Sequence, residues 1–141
     1  MSGFDKILVP LDGSEHSLHA LEKATQIAKK FDSKITLINV YSASSFKVTP
    51  SQVFDYFVEI RKSGESILAE AKKKLTSEGI PVETLLKEGH IVEEILKLAR
   101  EQNFDLIVIG ARGISAMKEI LLGSVSHGVT LHAPCPILVV R

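Results

Sequence analysis

The sequence is short of most things that would commit it to a specialised class. One cysteine, Cys135, in 141 residues excludes an internal disulfide and a cysteine-based zinc site, and suits a reducing compartment. Seventeen basic and seventeen acidic side chains cancel, which leaves no broad positive field for nucleic acid or an anionic membrane. No apolar run approaches the roughly 18 residues of a membrane span, and Met1 to Lys6 lacks the layout of a signal peptide. The expectation is a cytoplasmic protein with no nucleic-acid and no membrane partner. The HExxH pattern and the GxxxxGK(S/T) pattern are both missing, and His16, His19, His90, His127 and His132 show no metal-ligand spacing.

What is present is the ordinary balance of a folded domain, 45% hydrophobic and 24% charged, at a length that suits one domain over residues 1–141. Ile7 to Leu11, Ile35 to Tyr41, Leu106 to Ile109 and Ile137 to Val140 are short, β-branched and not alternating, which predicts strands covered on both faces. Val82 to Lys87, after Gly79-Ile80-Pro81, reads as a fifth strand nearer an edge. Three- and four-residue apolar spacing predicts helices over about Glu15 to Phe31 and Ser51 to Glu78, one carrying Ile91, Ile95, Leu98 and Ala99, and a shorter one opening at Gly123-Ser124. Gly64 is a weak point of the second helix, and Ser42 to Pro50 has no core pattern and reads as a mobile connection.

Alternating strands and helices call for a parallel sheet with helices on both faces. A strand order of 3-2-1-4-5 puts the switch point between the first and fourth strands, where such sheets bind ligands beyond the carboxyl ends of the strands. Pro10-Leu11-Asp12-Gly13-Ser14 leaves the first strand there, and Ile109-Gly110-Ala111-Arg112-Gly113 leaves the fourth. Gly123-Ser124-Val125-Ser126 opens the next helix. Glycines let main-chain N–H groups approach an anion, a helix start presents unpaired N–H groups, and Ser124 and Ser126 add hydroxyl donors. Four or five such donors at about 1.5–3 kcal/mol each, against about 4 kcal/mol or more for lost freedom, suggest micromolar retention of a phosphate-bearing ligand. Arg112 pairs with phosphate or is simply solvated. Lys118, Glu119 and Lys72-Lys73-Lys74 read as surface, and Cys135 as a packed small residue.

Gly110, two residues, Gly113, nine residues, then Gly123-Ser124 resembles the nucleotide motif of the universal stress protein family. The likeness continues in Ile7 to Ser14, Asp105 to Gly110, Leu121 to Ser126 and Ala133 to Val140. The resemblance implies a Rossmann-like, adenine nucleotide alpha hydrolase-like three-layer sandwich, with a five-stranded parallel sheet of order 3-2-1-4-5 and four helices. It further implies a homodimer, and ATP with Mg2+ or Mn2+ in the branch that keeps the motif. Carried over by position, Asp12 would approach the adenine or ribose beside Pro10 and Leu11, and Val40 would line the adenine pocket. Gly110, Arg112 and Gly113 would pass along the ribose and phosphates; Gly123, Ser124, Val125 and Ser126 would hold the phosphate tail, with Ser124 the residue nearest a metal. Gly89-His90-Ile91 departs from the family's Gly-Asp-Pro, and His90 is a candidate for touching ligand. The expected activity is a nucleotide-dependent stress-response or regulatory module without catalytic residues. The alternatives are a slow metal-dependent ATPase or a sensor of AMP or cAMP. Ile137 to Val140 falls on an open sheet edge, where two copies would pair.

Overall fold

The computed structural model describes residues 3–42, 50–113 and 122–141. Lys118, Glu119 and most of the segment from Ser42 to Pro50 lie outside them. The elements run β1 (Lys6–Pro10), α1 (Glu15–Phe31), β2 (Lys34–Tyr41), α2 (Pro50–Ser77), β3 (Val82–Glu88), α3 (Ile91–Glu101), β4 (Leu106–Gly110), α4 (Ser124–His132) and β5 (Ile137–Val140). All strands are parallel, in the order β3-β2-β1-β4-β5.

Local chemistry sets the helix ends. The Ser14 hydroxyl accepts from the Ser17 N–H at 3.3 Å and caps α1, while Gly13 before it takes φ +83°. α2 ends at Gly79, whose φ of +78° stops the helix. Gly64 is no weak point: a Cβ there would come within 2.6 Å of Asn39 Oδ1 and 2.7 Å of Leu86 Cδ1. Its missing side chain lets α2 lie close on the sheet.

Two apolar layers sandwich the sheet. Ile7, Val9, Ile35, Leu37, Leu106 and Val108 pack with α1 and α2 on one face. Leu8, Ile38, Ile107 and Ile109 pack with α3 and α4 on the other. β4 is buried throughout and β1 along its middle three residues, as a parallel sheet covered on both faces requires. β3 and β5 form the edges and are half-exposed.

The strand pairing also opens the site. β1 pairs with β2 through Pro10↔Ile38, and β4 pairs with β5 through Gly110↔Val140. Between β1 and β4 the register holds only Ile7↔Leu106 and Leu8↔Ile107. Beyond those pairs the two strands follow different neighbours, and Pro10 has no N–H with which to rejoin the ladder. The crevice at the switch point is the result.

Candidate functional site

A hollow lies at this crevice. Ile38, Val40, Ile91, Ile95, Ile109 and Val125 line it with aliphatic groups, while Asp12, Arg112, Gly113 and Ser126 bring polar groups to it. Pro10, Leu11 and Gly110 complete the lining. Its interior measures about 70 Å³, far below the roughly 300–1,000 Å³ usual for a ligand pocket, and it reaches about 500 Å³ with the open mouth counted. A small-molecule ligand there would insert one apolar end and leave the rest in the mouth.

The two glycine-bearing segments meet. The Gly123 N–H donates to the Ala111 carbonyl at 2.6 Å, and a Cβ on Gly123 would lie 3.3 Å from Arg112 Cα and 3.5 Å from Gly113 N. The Ser126 hydroxyl, buried, lies 2.6 Å from the same Ala111 carbonyl and 3.1 Å from the Gly123 carbonyl. Ala111 itself donates to Val140. One carbonyl thus staples the start of α4 to the end of β4.

This staple occupies two of the expected donors: the Ser126 hydroxyl lies against main-chain carbonyls and the Gly123 N–H donates to Ala111. Gly123 and Ser124 stand beside the hollow without lining it, and Ser124 is exposed at the helix start. Helix geometry leaves the N–H groups of Ser124, Val125 and Ser126 without intrahelical acceptors and gives this end the positive pole of α4.

The glycines differ in what they permit. A Cβ on Gly110 would sit 2.7 Å from the His16 carbonyl carbon and 2.8 Å from Ser17 N, so this glycine is needed for α1 to approach β4. Among the described residues, a Cβ on Gly113 would meet only Asp12 Oδ2, at 2.9 Å. Asp12 Oδ1 accepts from the Ser14 N–H at 2.9 Å, which fixes the carboxylate in the turn after β1.

Arg112 is held by α1. Its main-chain N–H donates to His16 Nδ1 at 3.2 Å, and its Nη2 lies 3.0 Å from His16 Nε2. The His16 ring is pushed below its ordinary pKa by burial first and then by the Arg112 guanidinium. The reading of Arg112 as simply solvated is therefore incomplete.

Sequence reasoning missed several residues here. Ile38 shares a face with Val40 two positions on, so strand alternation was the available signal. Ile91 and Ile95 carry the helical spacing of α3, which reads as core; Ile91, not His90, lines the hollow. Asn39 is buried, and its Nδ2 donates to the Leu11 carbonyl at 2.8 Å while the Leu11 N–H donates to Ile38. Both polar groups of Leu11 are tied to β2, which anchors the turn carrying Asp12.

Comparisons with known proteins agree with this architecture. A universal stress protein from Bacillus subtilis, YxiE, is 38% identical over 98% of this chain and 99% of its own. The solved UspA from Lactobacillus plantarum superposes with a TM-score of 0.90 at 24% identity, over 98% of each chain, and bears on the fold alone. A solved universal stress protein in complex with cAMP is 30% identical, with a TM-score of 0.74 over 99% of this chain and 98% of that one. The model of the universal stress protein family matches residues 3–141, and the chain belongs to that family.

Proposed function

We propose that the chain is an ATP-binding module that works in stress response or regulation through nucleotide-dependent changes in shape or partners. The observation that carries this reading is the crevice beside β1, where an aliphatic floor adjoins the start of α4 and the loop of Gly110 to Gly113. The base enters between Val40, Ile95 and Ile109, Asp12 accepts from ribose hydroxyls, and the phosphates extend past Gly113 toward the N–H groups of Ser124, Val125 and Ser126. The relative solved with cAMP supports an adenine nucleotide as the ligand class.

Among the described residues no group of three His, Cys, Asp or Glu side chains is placed to hold a metal. Mg2+ or Mn2+ fits this site only in company with a nucleotide, with the exposed Ser124 hydroxyl beside phosphate oxygens. The metal would neutralise phosphate charge. The protein works in the cytoplasm as a homodimer joined through the edge strand β5.

Titration with ATP, AMP and cAMP, read by thermal stabilisation, tests the ligand. Micromolar binding with ATP preferred supports the reading, and no stabilisation by any of the three refutes it. The alternative is slow metal-dependent hydrolysis, and phosphate release above the spontaneous rate selects it.

A further inference from the structure

Arg112 presents two donors to one imidazole: its main-chain N–H to His16 Nδ1 and its Nη2 to His16 Nε2. A neutral imidazole has a single lone pair, so it accepts from only one of them at a time. A protonated ring accepts from neither and sets a cation against the guanidinium. His16 does not line the hollow, whereas Arg112 does. The ring therefore acts on a ligand only through Arg112.

We propose that His16 is a proton-responsive positioning residue for Arg112, whose protonation turns the guanidinium toward the phosphates of a bound nucleotide. This rests on the nucleotide reading of the crevice and adds to it a charge coupling that the glycine motif does not contain. Among the described residues, the charged groups facing the ring are Glu15 and His19 on α1, Arg112 after β4 and Arg141 after β5. Burial and the cations hold the ring below its ordinary value of 6.5, and Glu15 opposes them. Phosphates that engage Arg112 neutralise the nearest cation, so the ring gains proton affinity when the ligand binds.

The sign follows by linkage. The ligand-free pKa lies below 6.5 and the bound value above the free one. In the window between them binding takes up a proton, and affinity rises as pH falls through that window. Well above the bound value, the His16 contribution is flat.

The test is a proton-NMR titration of the His16 ring in the wild-type protein, with and without ATP, its signal identified by its absence in His16→Gln. ATP is expected to raise the ring's pKa, read as a gain of about two- to threefold in ATP affinity from pH 8 to 5.5 relative to His16→Gln. The terminal phosphate of ATP also titrates, so the difference between the two proteins is the readout. Adenosine, which has no phosphate, should show no such difference. An unchanged or lowered pKa with ATP, or superposed affinity profiles, overturns the assignment. If the wild type binds neither ATP nor adenosine, the nucleotide reading falls and takes this inference with it; superposed profiles with both ligands bound sink the His16 role alone.

Discussion

Two hollows of the molecule, a groove between helices and the one at the strand crevice, differ in kind. Between α1 and α2 lies an open groove of about 920 Å³, floored by Leu18, Leu21, Ile67 and Ala71 and bordered by Glu15, Glu22, Glu70, Lys73 and Lys74. The crevice hollow measures about 70 Å³. The groove is roomy because two amphipathic helices diverge over the sheet, and its polar groups are side chains that project into water. The crevice is small because three chain segments converge, bringing aliphatic side chains together with the main chain of the two glycine-bearing segments. On the proposed reading, volume is a poor guide to the site and the direction of peptide N–H groups a better one.

The glycines on the crevice side give the sharpest way to break this contrast. Gly110→Val should destabilise the fold by about 3 kcal/mol or more, because the new side chain meets the backbone of α1 at 2.7 Å. A melting temperature within a degree or two of wild type would show that α1 can retreat. Gly113→Val should leave the melt and the circular dichroism spectrum nearly unchanged and reduce ATP affinity by about tenfold or more, about 1.4 kcal/mol. Among the described residues, its close neighbour is the Asp12 carboxylate. Stability lost with affinity retained would invert the assignment of the two positions.

The β5 edge gives a smaller effect. Val139 packs into the cluster beneath α3 and α4, so an aspartate there would damage the core as well as an interface. Leu138, 38% exposed on the other face, is the cleaner probe. Leu138→Asp should convert a sedimenting dimer to monomer with the fold intact, and an unchanged sedimentation coefficient argues against pairing through β5. In the large groove, Leu18→Lys should change stability by no more than about 0.5 kcal/mol and leave ATP affinity alone, since Leu18 is 48% exposed. A marked loss of ATP binding in that variant would move the site to the groove.

Much of this was legible because fold and crevice follow from local patterns. The short β-branched runs gave every strand to within a residue, and Ser14 and Gly79 marked helix ends that the structure keeps. Pro10, Leu11, Asp12, Val40, Ile109, Gly110, Arg112, Gly113, Val125 and Ser126 all line the one hollow. What a linear chain hides is which donors are already taken. The Ser126 hydroxyl is spent on Ala111, fifteen positions away, and the Arg112 N–H on His16, ninety-six positions away. Nor does spacing show that Gly110 abuts the backbone of α1 while Gly113 faces the Asp12 carboxylate. Those distinctions arise only when α1 is laid against β4.

The central claim, that main-chain groups at the β1–β4 crevice hold an adenine nucleotide, is tested most directly by following backbone amide resonances during titration with ATP. The account predicts saturable shifts concentrated at Leu11 and Asp12, Gly110 to Gly113 and Ser124 to Ser126, with Glu22, Ala71 and Lys73 in the groove unmoved. Shifts confined to the groove, or no saturable shift at millimolar ATP, would contradict it.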